Sequence, residues 1–325
     1  MQVTAPLPEP LVERYRAMLR IRLVEQALAD RYAAQQMRCP MHLCIGQEAI
    51  AVGVCSALKA TDMVYSNHRA HGHYLAKGAN LNAMVAELYG RATGCCGGRG
   101  GSMHLIDLAA GFMGATPIVG GTVPLAVGAA WAARLQRKPS VTVVFFGDGC
   151  FEEGVMHESL NFAALHHLPI VFVCENNQFS VYTRLSERQA DRPIYRIAQA
   201  HGLSAATGDG NDVDTVFELS QTAISLARQG AGPQFLELHT YRWREHCGPN
   251  FDDDLGYRAP AEVAAGQAAC PLLAYADRLG RLSPAFPSLA RAQEAEIRLE
   301  IDAAFDFALS SATSDAQTAA EGVYA

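Results

Sequence analysis

Two short polar segments of this chain have residue types suited to holding a hard cation and a phosphate: Gly147-Asp148-Gly149 and Asn176-Asn177. Each comes at the end of an apolar run, VTVVFF at 141–146 and PIVFVC at 169–174. A carboxylate, an amide oxygen and a nearby backbone carbonyl make an all-oxygen donor set of the kind Mg²⁺ prefers. The glycines let backbone approach a phosphate, and a helix predicted from Glu153 would add its positive end. The chain carries its own control, a second copy at Gly208-Asp209-Gly210 with no Asn pair following at the same distance. That copy predicts only a turn, whereas the first copy, with residues 150–175 between it and the Asn pair, predicts a binding site.

The elements that must position these residues follow from periodicity. VTVVFF and PIVFVC read as parallel strands covered on both faces, joined by a helix over 153–167 in a right-handed crossover. Further helices are expected over 11–36, 48–58, 81–89 and 212–227, and a strand at QFLELH, 234–239. The pattern is α/β, a doubly wound, mostly parallel sheet with helical N- and C-terminal extensions. Such sheets collect ligands outside the carboxyl ends of their strands, which puts 147–149 and 176–177 side by side. CCGGRGGSMH, 95–104, is expected to be a loop whose backbone approaches another group closely. No linker splits the chain, so 1–325 is expected to be one domain. Its core lies at about 40–245, a helical extension at 261–310, and a small polar tail at 311–325 that should fray.

Composition narrows the class. Half of the 325 residues are apolar and the net charge is −7, with no massed basic patch, which argues against a nucleic-acid partner. The uncharged stretch between Asp107 and Arg134 is too broken by proline and glycine to span a membrane. The first residues have neither a basic start nor an apolar run, so a cytoplasmic protein is expected. Nine cysteines, an odd number without a Cys-x-x-Cys pair, are expected to be reduced and mostly buried. His68, His71 and His73 stand at a spacing compatible with zinc. No second ligand cluster accompanies them, and Arg69 lies among them, so zinc is set aside.

The Gly-Asp-Gly and Asn-Asn pairing resembles the thiamine diphosphate motif. The text around it is similar to the alpha subunits of pyruvate, branched-chain and acetoin dehydrogenases. The likeness runs from about Tyr15 to Arg258 through HLCIGQEA at 42–49, HRAHGHYLAKG at 68–78, GGRGGSMH at 97–104, PIVGGTVP at 117–124 and HESLN at 157–161; HRAHGH and HESLN look most similar to the acetoin branch. The resemblance implies thiamine diphosphate and Mg²⁺ as cofactors, with Asp148, Asn177 and the Phe179 carbonyl on the metal. It further implies Arg69, together with His68, Gly147 and Gly149, near the diphosphate, and Val119 offering backbone to the aminopyrimidine. His71 and His246 match the active-site histidines, with His246 also beside the cofactor. The partners implied are a beta subunit in a heterotetramer and a lipoyl-bearing acyltransferase.

The chain departs from its relatives after Tyr241, reading TYRWREHCGPN with an acidic run at Asp252–Asp254. His246 is kept, while Glu245 and Cys247 flank it in place of Gly and Ser. This leaves substrate and acceptor open, with a two-chain thiamine-dependent decarboxylase or synthase using a non-lipoyl acceptor as the alternative. A catalytically silent scaffold is the third reading, against which stand the intact Asp148, Asn177, Arg69, His71 and His246. The glutamate that such enzymes set against the aminopyrimidine belongs to the beta subunit in this family, so the chain alone is expected to be inactive.

Overall fold

The computed structural model describes residues 7–37, 39–318 and 320–321. Helix α1 (Glu9–Tyr32) accepts Pro10 in its first turn, where a missing N–H costs nothing, and ends before Gln35, whose φ of 55° is left-handed. It therefore starts and stops slightly earlier than periodicity alone predicts. Next come α2 (Glu48–Ser56), β1 (Met63–Ser66), α3 (His71–Ala76), α4 (Leu81–Leu88), β2 (Phe112–Ala115) and α5 (Thr122–Leu135). The central unit is β3 (Thr142–Gly147), α6 (Gly154–Leu165) and β4 (Ile170–Asn176). It is followed by a two-residue-strand hairpin, β5 (Phe179–Ser180) and β6 (Thr183–Arg184), then α7 (Leu185–Arg188) and α8 (Ile194–Ala200). The chain continues through β7 (Ser204–Asp209), α9 (Val213–Arg228) and β8 (Gln234–His239), and closes with α10 (Pro260–Ala268), α11 (Pro271–Leu282) and α12 (Phe286–Ser310).

Strands β1 to β4, β7 and β8 form one sheet in the order β2-β1-β3-β4-β8-β7, every neighbouring pair parallel. Strands β3, β4 and β8, legible as apolar runs, hold its centre. Strands β1, β2 and β7 escape sequence reading because they are short or built of small residues, such as Phe-Met-Gly-Ala and Ser-Ala-Ala-Thr-Gly-Asp. The alternation of β3 splits the core. Val143 and Phe145 join the layer under α1, α2, α4, α9, α11 and α12, whereas Val144 and Phe146 join the layer under α5, α6 and α8. All four side chains are buried, each stabilising the fold by roughly 1.5–3 kcal/mol, which makes this strand a rigid base for the residues that follow it.

Two expectations are corrected. Gly208-Asp209 is the end of strand β7, paired in parallel with β8, so the second Gly-Asp-Gly is more than a turn. The start of the tail is tied down: Ala92 N donates to Ala312 O at 2.9 Å, and Arg91 bridges Thr313 in antiparallel fashion. Residue 319 and residues 322–325 of the tail lie outside the described residues. The glycine-rich loop wraps a buried carboxylate, Glu87, which accepts N–H from Cys96 (2.7 Å), Gly98 (2.8 Å), Gly100 (2.6 Å) and Gly101 (3.0 Å). All nine cysteines are free, and Cys247 is exposed. Among the described residues, no helix is long and apolar enough to cross a membrane.

Candidate functional site

A pocket opens at the carboxyl ends of β2, β1, β3 and β4, where the strand order changes direction. Of the residues singled out from sequence, Arg69, His68, Val119, Gly147, Asp148, Gly149, Asn177, Phe179 and His246 all line it, joined by Gln47 and Asn67. His71 does not line it. It is fully buried behind the pocket, with Nδ1 3.1 Å from Glu25 Oε1 and Nε2 2.8 Å from Ser102 Oγ. His73 goes elsewhere again, to Ser66 (2.8 Å) and Glu175 (3.1 Å), with its ring stacked on Phe145. The three histidines of HRAHGH therefore cannot share one ion.

On the oxygen-donor side, Asp148 is buried and its carboxylate is held by Arg188 from α7, which also pairs with Glu152. Burial raises the Asp148 carboxyl, and Arg188 offsets only part of that rise. The paired asparagines divide their work. Asn176 fixes the turn after β4, donating to Glu237 at 2.7 Å and accepting from Gln178 N at 3.1 Å. Asn177 faces the pocket, donating to Gln47 Oε1 at 3.1 Å and accepting from Phe179 N at 3.1 Å. The remaining hydrogen-bonding group of Gln47, Nε2, is buried without a partner. A methyl group added at Gly147 would enter open space, while one at Gly149 would meet Ser180 Oγ at 2.8 Å. Gly147 thus keeps the pocket open and Gly149 lets the hairpin close on it.

The opposite wall is positive. Arg69 is buried, donates to the carbonyls of Leu43 (2.5 Å) and His246 (3.2 Å), and among the described residues pairs with no carboxylate. Burial and the nearby Arg242 lower its pKa to about 10. A buried guanidinium satisfied only by carbonyls is stabilised by any anion that reaches it, and a diphosphate oxygen suits its fork. His42, absent from the residues singled out from sequence, stands beside His68 and His246, and burial with Arg69 lowers these rings to about 2, 3 and 4 respectively. His42 and Gln47 both lie within HLCIGQEA, the only sequence signal for either.

The divergent loop after β8 is anchored by internal pairing. Of the acidic run, Asp252 turns inward and is held by Arg258 and by Tyr257 Oη at 2.6 Å, while the exposed Asp253 pairs with Arg258 at 3.2 Å. Trp243 stands where any side chain at Gly46 would collide, and Arg22 lies 4.5 Å from its ring. His42 and Gly248 bridge in parallel, with Gly248 N donating to Met41 O at 2.8 Å, so the segment bearing His246 is zipped to the one bearing His42.

Comparison with known proteins shows the family. The dehydrogenase E1 component family matches residues 15–317, past the limit at Arg258 read from motifs and through the C-terminal helices. The alpha subunit of acetoin:2,6-dichlorophenolindophenol oxidoreductase from Bacillus subtilis is 44% identical over 228 residues, covering 70% of this chain and 68% of that one. Its counterpart from Cupriavidus necator is 40% identical over 266 residues, 81% and 79% of the two chains. The pyruvate dehydrogenase E1 component subunit alpha of Zymomonas mobilis is 38% identical over 256 residues, 78% and 72%. With the family match and these relatives each extending across most of the chain, this protein belongs to the dehydrogenase E1 component family, as an alpha subunit of the acetoin and pyruvate dehydrogenase type.

Proposed function

We propose that this chain binds thiamine diphosphate with Mg²⁺ in the pocket at the carboxyl ends of β1 to β4. With a beta subunit, in a heterotetramer working in the cytoplasm, it would cleave acetoin or a 2-oxoacid and deliver the product to a lipoyl group on an acyltransferase. Residues 1–325 would act as one unit, a core at about 40–245 carrying the helices of 261–310. The reading is carried by a buried Arg69, paired with no carboxylate among the described residues, facing a buried Asp148 across one pocket. A magnesium diphosphate satisfies both at once. Asp148, Asn177 and the Phe179 carbonyl would hold the metal, with Arg188 withdrawing from the carboxylate it now neutralises. Arg69 and His68 would take the diphosphate, Gly147 and Gly149 would admit it, and Val119 would meet the aminopyrimidine. When bound, the cofactor supplies the carbanion chemistry of carbon–carbon cleavage.

The chain's own residues supply position and proton handling. His246, at the rim and neutral, would orient substrate and exchange a proton with it. His71 would act as a positioning residue, its ring fixed between Glu25 and Ser102 so that the backbone bearing His68 and Arg69 is held. Support for a covering partner comes from the open side of the site. Val119 is 41% exposed and Ile118 69%, and the outer face of α5 presents Leu125, Trp131 and Leu135 to solvent.

Calorimetry of thiamine diphosphate with Mg²⁺, on this chain alone and mixed with its beta subunit, tests the reading. Tight binding in the mixture, lost in Asp148→Ala, is expected, followed by reduction of 2,6-dichlorophenolindophenol with acetoin exceeding that with pyruvate. Absence of binding in both samples would remove the cofactor assignment. Turnover by the single chain would remove the need for a partner.

A further inference from the structure

Three imidazoles from distant parts of the chain meet at the rim of this pocket. His42 precedes α2, His68 follows β1 and His246 lies in the loop after β8. Their ring centroids are 4.6 Å (42–68), 5.0 Å (42–246) and 5.4 Å (68–246) apart, and one nitrogen from each lies within 4.8 Å of the others. His42 is 7% exposed, and its Nδ1 has no hydrogen-bond partner among the described residues. We propose that His42, His68 and His246 form a binding site for a divalent transition-metal ion of the zinc class, and that its occupation inhibits the assembled enzyme.

Three neutral imidazoles are a donor set that zinc accepts, with the fourth tetrahedral position left for water or a phosphate oxygen. Around such an ion the nitrogens stand roughly 3.3 Å apart, so the rings need to close by no more than about 1.5 Å. Burial keeps all three rings in the unprotonated form that ligates. Nitrogen donors select against Mg²⁺, which keeps to the oxygens of Asp148 and Asn177. The guanidiniums of Arg69 and Arg242 oppose a cation here, and Asp252 favours it only at His246. The ion is accordingly an exchangeable one, held less tightly than in a closed structural site. The binding half of the proposal stands on the imidazoles alone. The inhibition half rests on the cofactor reading, because an ion at this triad removes His68 and His246 from the diphosphate and substrate.

The test uses the full chain, titrated with Zn²⁺ in a calorimeter and with Co²⁺ while recording visible absorption. One ion per chain and the strong bands of tetrahedral cobalt are expected. His42→Ala and His68→Gln should each weaken binding by more than about tenfold and abolish the bands. His104→Ala, at an exposed histidine outside the triad, should leave both unchanged. His68 is only partly buried, so His68→Gln remains informative if His42→Ala fails to fold. No uptake by the natural chain, or uptake by a folded His68→Gln equal to it, would overturn the site. With the beta subunit, thiamine diphosphate and Mg²⁺ present, Zn²⁺ should suppress turnover reversibly to chelator. Undiminished turnover at a Zn²⁺ level that fills the site would overturn the inhibitory role. Failure of the zinc-free chain to bind thiamine diphosphate would instead count against the cofactor reading and leave the metal site standing.

Discussion

Gly147-Asp148-Gly149 and Gly208-Asp209-Gly210 are the same tripeptide at the same kind of place, the carboxyl end of a parallel strand, and they do different things. The first ends β3, flanked by β1 and β4 in the middle of the sheet, and its aspartate is buried against Arg188. The second ends β7 at the sheet edge, where Asp209 is exposed and accepts from Asn211 N at 2.8 Å. Their glycines differ for the same reason. A methyl group at Gly147 would meet nothing within 4 Å, whereas one at Gly208 would meet Leu219 Cδ1 at 2.7 Å. The first copy uses its leading glycine to leave room for a ligand, and the second uses it to let α9 pack. Lateral position in the sheet, more than the motif, decides which carboxylate can serve a ligand.

The sharpest way to break this comparison is to exchange the aspartates for alanine. Asp148→Ala should abolish Mg²⁺-dependent thiamine diphosphate binding in the presence of the beta subunit, a loss of at least about 3 kcal/mol, while Asp209→Ala leaves it within about twofold. Equal losses in the two variants would show that the edge copy also serves the site. Next in size are the leading glycines. Gly147→Ala should keep the chain's melting temperature but weaken cofactor binding about tenfold or more, because the new methyl group fills space the ligand needs. Gly208→Ala should lower stability by about 1–3 kcal/mol with binding intact, as read by denaturant unfolding and calorimetry.

The pH response sharpens the contrast further, since only the central copy has the histidine cluster nearby. His42, His68 and His246 fall to about 2, 3 and 4 in the fold, against about 6.5 when unfolded. As pH falls, the unfolded chain takes up these protons first, so stability is complete above about pH 6.5 and is lost progressively down to about pH 2, where His42 also charges in the fold. Thermal unfolding at pH values from about 7 to about 5 should show that decline, and His68→Gln should blunt it. An unchanged slope in His68→Gln would mean that other groups carry the loss. The smallest effect belongs to the edge: Asp209→Ala removes one turn hydrogen bond, and unfolding should register a loss of about 0.5–1 kcal/mol.

Much of the site was legible before the fold was known, and its illegible part has a physical pattern. Asp148 and Asn177 follow strands of continuous β-branched and aromatic residues, so periodicity predicts them side by side at the carboxyl ends of central strands, where they line one pocket; Phe179 is implied only by the family resemblance. Strands β1, β2 and β7 carry no such signal, since they are short or built of small residues with little intrinsic preference; β1 pairs along β3, β2 along β1, and β7 along β8. The family resemblance implies His71 as an active-site residue, while packing turns its ring inward to Glu25 and Ser102. Spacing pointed to a set of histidines within HRAHGH, whereas the fold dispersed that set and gathered His68 with His42 and His246.

The sequence by itself determined the α/β class, the three central strands and the oxygen-donor half of the pocket, because those depend on runs and spacings within a few dozen residues. Tertiary structure alone decided the other half: a guanidinium left without a carboxylate, three imidazoles brought edge to face, and an acidic loop whose charges fold back on Arg258. Partners separated by as many as 204 positions in the chain, as His42 and His246 are, meet only through the packing of whole elements. The energies that select such meetings, burial of apolar faces and pairing of buried polar groups, are summed over the whole core and leave no local pattern.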